Sequence, residues 1–215
     1  SILSNANYHL AISIMSDSDL KQLNFPQTIS DSSIKGIILV EICDKVVCDA
    51  LSQFNLPIVS VDMPNVPFEE LNGIDVVTME SKKNLKKIIN QLIEKGAESF
   101  GFVGDLYSPN VSRGFQERYN ALSECLAEHQ LPLNQKNCLL HQTPEDFRNF
   151  QTTVNNLQAM ISLPDVFICG NDWTAIQLIY ALQFLGLQIP KDICVVGFDN
   201  IPAASRISPS LTTIS

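Results

Sequence analysis

The stretch Ile193–Ile214, ICVVGFDNIPAASRISPSLTTI, opens with an apolar run that ends in two polar side chains. From Ile193 to Phe198 nearly every residue is apolar or small, and Asp199 and Asn200 follow at once. A strand without polar alternation is typical of a parallel sheet that helices cover on both faces. Packing alone requires no carboxylate and amide at the strand tip, so this pair indicates a function there.

Similar apolar runs recur along the chain, and helical patterns separate them. The other predicted strands are Tyr8–Ile14, Lys35–Ile42, Pro57–Asp62, Ile74–Met79, Ser99–Gly104, Asn137–His141 and Asp165–Gly170. The predicted helices are one that Ser81 caps and Gly96 ends, Phe115–His129, Pro144–Leu157 with proline in its first turn, and Asp172–Leu185 closed by Gly186. Alternating strands and helices with short links predict an α/β, doubly wound fold.

The segment Ile74–Lys83 divides the chain into two predicted lobes. Three strands and their helices precede it, whereas a long helix and four more strands follow it. We therefore assign residues 1–80 to an N-terminal lobe and residues 81–211 to a C-terminal lobe, with a cleft between them.

The helix predicted over Asp172–Leu185 is apolar nearly all round. Its sequence, DWTAIQLIYALQFLG, places apolar residues on the face away from the sheet as well. Such a helix needs a second burial partner. We interpret it as a subunit interface of a homodimer, with Ile179 and Tyr180 as outward positions. The alternative is a helix enclosed within its own domain.

The composition indicates a globular chain that does not itself bind nucleic acid. Its 215 residues are 45% hydrophobic and 17% charged, and the formal net charge is −9. Phosphate binding requires clustered basic residues; the one cluster, Lys82, Lys83, Lys86 and Lys87, is interpreted as a solvated helix face. No apolar run is long enough for a bilayer and no signal peptide is visible, so we expect no membrane contact and a cytoplasmic location.

The cysteines favour a reducing compartment. They are Cys43, Cys48, Cys125, Cys138, Cys169 and Cys194. None forms a C-x-x-C pair or has a histidine at ligand spacing, and several lie inside apolar runs. Buried, reduced thiols are the simplest interpretation, and no metal site is expected.

Three buried runs end in polar side chains. Asp62 ends LPIVSVDM, Asn171 and Asp172 end DVFICGND, and Asp199 follows ICVVGF. In open α/β sheets, ligands bind just beyond the carboxyl ends of the strands. Together these groups favour a polar, hydroxyl-rich ligand, which carboxylates and amides hold in sugar recognition.

Each of these side chains also has a purely structural interpretation. Asp172 stands where an N-cap carboxylate accepts backbone N–H bonds, and we expect it to cap the following helix. Asn171, one residue earlier, is then not needed as a cap and is expected to contact the ligand. Asp62 and Asp199 are also ordinary turn residues near prolines.

Catalytic motifs are absent from the sequence. It contains no G-x-S-x-G, no G-x-x-x-x-G-K-[ST] and no G-x-G-x-x-G after the first strand. His9, His129 and His141 have no serine or cysteine partner at a suggestive spacing. We expect a binding protein without a cofactor; an α/β enzyme such as a sugar-modifying hydrolase remains a competing hypothesis.

The C-terminal half resembles the lactose-repressor/galactose-repressor (LacI/GalR) family of bacterial transcription regulators. The similar motifs, in order, are N-D at 171–172, G-x-x-I-P-K-D-I at 186–193, G-F-D-N at 197–200 and P-x-L-T-T-I at 209–214. Upstream, IKGIILV, LPIVSVDM and LKKIINQLIEKGAESFGFVGD are similar as well, and ERYNALSECL matches the family's arginine-bearing helix. The resemblance therefore covers nearly the whole chain.

This resemblance implies a two-lobed, periplasmic-binding-protein-like fold with an effector clamped between the lobes. It implies effector contacts from Asp62, Arg118, Asn171 and Asp199. Trp173 is a further candidate as an apolar face for a sugar ring, although burial at the helix start is the favoured interpretation. Residues 212–215 would begin the crossover back to the N-terminal lobe.

The sequence departs from the family pattern in two places. The usual V-x-x-D-N is replaced by VVTMES at 76–81, and R-x-x-G-F is replaced by a segment with Ala121 and Leu122 after the arginine. The first contact is lost or altered, and the second change reshapes the pocket wall.

The resemblance also sets expectations about function and partners. The family's DNA-binding headpiece is not in this chain, and the N-terminal lobe is expected to lack its first strand. We expect a small-molecule sensing domain, with a carbohydrate effector, a homodimer, and operator DNA bound through the headpiece. The alternative is a secreted or periplasmic sugar-binding protein of a transporter.

Overall fold

Two parallel sheets with helices between their strands form the fold in the computed structural model, which describes residues 8–108, 111–141, 146 and 149–215. The helices are α1 Asp17–Gln22, α2 Lys45–Ser52, α3 Lys82–Glu94, α4 Arg113–Glu128, α5 Phe150–Gln158 and α6 Asp172–Phe184. The strands are β1 Ile37–Val40, β2 Ile58–Val61, β3 Ile74–Val77, β4 Phe100–Val103, β5 Val166–Cys169, β6 Cys194–Phe198 and β7 Thr212–Ile214. The sheets have the strand orders β1-β2-β3 and β4-β5-β6-β7. The predicted α/β fold with two parallel sheets is confirmed.

Helices cover both faces of the four-stranded sheet. On one face Phe167 of β5 packs in a cluster with Leu178 of α6. On the other face Phe102 and Ile168 pack in a cluster with Leu122 of α4. Burying one such side chain contributes about 1.5–3 kcal/mol. These buried positions explain why β4, β5 and β6 read as continuous apolar runs.

The three-stranded sheet is covered on one face by α2. Ile58 of β2 packs with Val47 and Leu51 of this helix. On the opposite face, alternate residues of all three strands are exposed. The most exposed apolar side chains there are Ile38, Val40, Val61 and Val77, each with at least 41% of its surface accessible. This sheet therefore has one buried and one open apolar face in the described part of the chain.

Two predicted strands are wrong. The segment Tyr8–Ile14 has no regular structure, and its alternate side chains are 50% to 95% exposed. Asn137–His141 contributes only isolated bridges, Val103 to Leu139 and Asp105 to His141. Alternating hydrophobicity forms a strand only where a neighbouring strand supplies hydrogen bonds, and neither segment has a continuous neighbour among the described residues. By contrast, β7 pairs in parallel with β6 although no strand was predicted there.

The two glycines predicted to end helices do so, whereas the predicted cap of α3 does not form. Gly96 and Gly186 stand just after α3 and α6 with φ of +97° and +86°, left-handed values that glycine adopts without strain. Ser81 occupies the N-cap position of α3 but makes no capping hydrogen bond. Instead, Glu80 accepts a hydrogen bond from the Lys83 backbone N–H at 2.8 Å. The prediction for Pro144 lies outside the described residues, and α5 begins at Phe150.

The two faces of α6 differ in burial. Ile179, predicted as an outward position, is only 1% exposed and belongs to the core of its own sheet, so that prediction is wrong. Trp173, Tyr180 and Phe184 remain 62%, 43% and 66% exposed. Their spacing of seven and four residues puts them on one side of the helix. The helix thus presents an uncovered aromatic face, and its role as an interface stays a prediction.

All six cysteines are free, and burial raises the pKa of the Cys43 thiol to about 12. Among the residues that the structure describes, no helix combines the length and apolar character needed to span a bilayer.

Candidate ligand-binding site

The carboxyl ends of strands from both sheets meet around one arginine. Arg118, on α4, donates from Nη1 to the carbonyl oxygen of Gly170, just after β5. Its Nη2 lies 3.8 Å from Oδ1 of Asp199, just after β6. The carboxylates of Asp199 and Asp62 both raise the pKa of Arg118 against the lowering effect of burial, which is the larger cause. Three of the predicted contact residues therefore lie close enough to interact.

The Arg118 guanidinium is almost completely buried and is held in place. The residue is 6% exposed, and its Cζ lies 3.6 Å from the centre of the Phe198 ring. This stacking and the bond to Gly170 fix the plane of the group. Nε has no hydrogen-bond partner in the described structure. A buried donor without a partner is costly.

Asp199 titrates in an unusual range. Partial burial raises the pKa of its carboxyl group to about 6, Arg118 opposes this rise, and the carboxylates of Asp172, Glu41 and Asp62 add to it. Its side chain remains 36% exposed. The backbone is left-handed, with φ of +103°, and its N–H donates to Ile214. A carboxylate in this position can accept hydrogen bonds from a ligand while the backbone of β7 holds it.

Asp62 is already engaged by groups of the protein. Its Oδ1 accepts the Met63 backbone N–H at 2.7 Å, and its Oδ2 accepts the Ser112 hydroxyl. Ser112 is the N-cap of α4, so this bond joins the end of β2 to the helix that carries Arg118. The φ of Asp62 is +70°. A ligand at Asp62 would share or replace the Ser112 hydroxyl.

Asn171, and not Asp172 as predicted, is the N-cap of α6. Asn171 is the N-cap of α6, and its Oδ1 accepts the Thr174 N–H at 2.9 Å, so the prediction that it is not needed as a cap is wrong. Asp172 does not cap the helix. It is completely buried and accepts from the Ile201 N–H at 2.9 Å and the Thr213 hydroxyl at 2.6 Å. The amide NH2 of Asn171 still has the capacity to donate to a ligand.

The buried Asp172 carboxylate depends on the glycine that faces it. A Cβ atom at Gly197 would come within 2.1 Å of Oδ1 of Asp172. Through its two acceptor bonds, this carboxylate holds the loop after β6 and strand β7 against the start of α6. It thereby positions the turn that carries Asp199.

Trp173 is on the surface. With 62% of its area exposed, the favoured interpretation of burial at the helix start is wrong. No described contact joins its ring to Arg118 or Asp199. Its part in ligand binding stays a prediction.

Sequence reasoning missed Glu41, the residue that follows β1. Like Asp62 and Asp199, it is a strand-end carboxylate with positive φ, here +57°. Its charge raises the pKa of Asp199, which puts it on the same side of the molecule. The signal was present, because the apolar run IILV of β1 ends directly in Glu41. The predicted strand ran on to Ile42 and concealed that end.

The site has the composition of a polar binding site. Carboxylates, a guanidinium and an amide meet there, and no group of three potential metal ligands occurs anywhere in the described ranges. These groups can hold hydroxyl and carbonyl oxygens through paired donors and acceptors.

Comparisons with known proteins agree with the fold and with a regulatory role. A family model described as a periplasmic binding protein-like domain matches residues 89–215. The chain is 28% identical over 212 residues to catabolite control protein A of Staphylococcus xylosus, covering 96% of this chain and 60% of that protein. It is 27% identical over 184 residues to the HTH-type transcriptional repressor PurR of Actinobacillus pleuropneumoniae, covering 84% and 52%. The chain thus spans between about half and three fifths of these relatives, whose names are those of regulators and not of enzymes.

A solved structure shows the same architecture. A LacI family transcriptional regulator from Lactobacillus casei with bound glucose superposes with a TM-score of 0.74 at 20% identity, covering 99% of this chain and 77% of that chain. The motifs at 171–172, 186–193, 197–200 and 209–214 all lie within the part of the chain that the family model matches and that is similar to the regulator relatives. The chain belongs to the periplasmic binding protein-like domain family, and its sequence and fold are similar to those of bacterial transcription regulators, including one of the LacI family.

Proposed function

We propose that this chain senses a small hydroxylated molecule of the sugar class, which binds Asp62, Arg118, Asn171 and Asp199 between the two sheets. The observation that carries the proposal is the buried Arg118 guanidinium, which faces Asp199 at 3.8 Å and has an unpaired Nε. A protein gains nothing in stability from such a donor, whereas a ligand hydroxyl or ring oxygen would complete its hydrogen bonds.

The chemistry of the four residues suits a polyol. Ionised Asp62 and Asp199 accept hydrogen bonds from hydroxyl groups, and Arg118 donates to oxygens through a rigid fork. The NH2 group of Asn171 adds a neutral donor. The regulator from Lactobacillus casei with bound glucose has this fold, which supports a sugar as the class of ligand.

Binding between the sheets provides a route to regulation. A ligand that contacts both Asp62, after β2, and Asp199, after β6, stabilises the arrangement in which the sheets lie together. In a homodimer this closure changes the spacing of two DNA-binding headpieces and therefore the affinity for operator DNA. The proposal includes a cytoplasmic location and rests on the regulator names of the relatives.

A carbohydrate panel titrated by calorimetry tests the site. We expect wild type to bind at least one sugar, and Asp199→Asn or Arg118→Lys to weaken that binding at least about tenfold, because each removes a charge-assisted or forked hydrogen bond. Asp75→Asn, an exposed carboxylate on β3, is the matched control and should bind like wild type.

Two results would contradict the proposal. Equal affinity of wild type and both site variants would place the sugar elsewhere. A wild type that binds no member of the panel would refute the sugar class, provided that thermal unfolding shows a folded protein.

A further inference from the structure

Arg113, the first residue of α4, holds the loop that follows β2. Its backbone N–H donates to the Met63 carbonyl at 3.0 Å, and its Nη1 donates to the Val66 carbonyl at 2.8 Å. Its guanidinium lies 4.5 Å from the centre of the Phe68 ring. One side chain and its own amide thus contact this loop at three places.

The side chain is oriented from within its own helix. Arg113 Nε donates to Oε1 of Glu117 at 2.8 Å, one turn along α4. Both side chains are partly exposed, at 28% and 36%. This ion pair fixes the guanidinium, so that Nη1 is directed at the loop carbonyl. Arg fits this task because its planar fork serves a carboxylate and a carbonyl at once.

The loop that Arg113 holds begins with a residue of the candidate site. Asp62 precedes Met63 directly, and Pro64 forms an antiparallel bridge with Ser112. The contacts of Arg113 therefore lie immediately beside the bond between Ser112 and Asp62 that joins the two parts of the site. Arg113 itself lacks any described contact with Arg118 or Asp199.

We infer that Arg113 is a positioning residue. Its three contacts with residues 63–68, called the clip below, hold Asp62 against the N-terminus of α4. They thereby fix the distance between the two halves of the ligand site. The part of this inference that concerns ligand binding rests on the proposed function. The clip lowers the free-energy cost of closing the cleft, because the loop is already docked before ligand arrives. Loss of the clip reduces the fraction of molecules in the binding-competent arrangement, and the apparent affinity falls by the same factor.

Hydrogen–deuterium exchange of the ligand-free chain tests the clip directly. In Arg113→Ala we expect faster exchange in peptides covering 62–68 by about ten- to hundredfold, the effect of losing a hydrogen bond from a charged donor. Lys45→Ala removes a comparable i,i+4 ion pair, with Asp49 at 2.6 Å, that stays within α2, and should leave these peptides unchanged.

The pattern of exchange separates positioning from general stability. The clip predicts a change confined to 62–68 and the first turn of α4. Unchanged exchange in 62–68, or an increase spread equally along all of 113–128, would overturn it.

Titration with D-glucose tests the link to binding. If wild type binds D-glucose, Arg113→Ala should bind about tenfold more weakly, and saturating sugar should restore wild-type exchange in 62–68. Equal affinity of the two proteins would overturn the positioning role. If wild type binds no sugar at all, the proposed function fails, and the exchange data alone decide whether the clip exists.

Discussion

At the scale of single residues, the site is governed by the charge of Asp199. Its carboxyl pKa of about 6 lies well above the ordinary value of 3.8, because partial burial and neighbouring carboxylates outweigh the attraction of Arg118. The folded chain therefore holds this proton more tightly than the unfolded chain. Between about pH 4 and 6 the folded state binds more protons, so its stability falls as the pH rises through this window.

Asp199→Asn should remove that pH dependence. Above pH 6 the folded wild type carries the full free-energy cost of the ionised, partly buried Asp199 carboxylate, whereas the neutral side chain of the variant carries no such cost. We expect the variant to melt about 2–4 °C higher at pH 7.5, a shift that corresponds to about 1 kcal/mol after allowance for the solvent exposure of the group. Below pH 4 both proteins present a neutral side chain, and the difference should disappear. Thermal unfolding at pH 3.5, 5 and 7.5 measures this.

The control for net charge is Asp75→Asn, which removes one negative charge from an exposed position on β3. A variant at 199 that is no more stable than wild type at pH 7.5 would show that Arg118 fully compensates the buried charge.

At the scale of elements, the start of α6 shows how finely a helix boundary is set. Both Asn and Asp are good N-cap residues, and they are adjacent at 171 and 172. The sequence cannot distinguish them, because a shift of one residue leaves the local pattern unchanged. Groups distant in sequence determine which residue caps the helix. The Ile201 N–H and the Thr213 hydroxyl both donate to Asp172, and Asn171 is therefore the N-cap.

Two substitutions at Asn171 separate capping from ligand contact. Asn171→Ala removes the cap and should lower the free energy of unfolding by about 1 kcal/mol. Asn171→Ser retains a capping oxygen but lacks the amide NH2, so it should keep most of the stability and lose sugar affinity. Urea denaturation and calorimetry on the same preparations provide both readouts. A serine variant with unchanged sugar affinity would show that Asn171 caps the helix and does not contact the ligand.

The elements that the sequence predicted well are those whose burial is local and complete. Strands β4, β5 and β6 are apolar along their length, so their burial on both faces could be predicted from each segment alone, without knowledge of its neighbours. The segment Tyr8–Ile14 failed because a strand needs a neighbour, which the pattern of one segment does not reveal. For the site, Asp62 and Asp199 followed from their places at strand ends, whereas Arg118 came from the family resemblance alone. Ser112 and Arg113 were missed, since their importance arises from a loop some fifty residues away.

At the scale of the whole molecule, the aromatic face of α6 is, like the open face of the three-stranded sheet, an exposed apolar surface. Trp173, Tyr180 and Phe184 share it, and the Phe184 ring packs edge-on against Phe150 at 5.5 Å. Exposed aromatic clusters are typical of protein–protein interfaces. A homodimer formed through this face would bury it twice.

If the chain forms a homodimer through this face, Tyr180→Glu should convert it to a monomer, because the substitution places a charge at the centre of the aromatic face. Sedimentation velocity over a range of concentrations measures the change. Gln91→Glu adds the same charge to an exposed position of α3 and should leave the sedimentation coefficient unaltered. If Tyr180→Glu sediments as wild type does, no dimer forms through this face.

The close approach of Gly197 to Asp172 has an evolutionary consequence. Even a methyl group at 197 would collide with the carboxylate that ties three segments together, so Gly197 is not free to vary while Asp172 is kept. In relatives that keep an acidic residue at the place of Asp172, we expect the facing strand position to remain glycine. Where that glycine has been replaced, the acid should have been replaced as well, and the turn bearing the counterpart of Asp199 must be secured by other means.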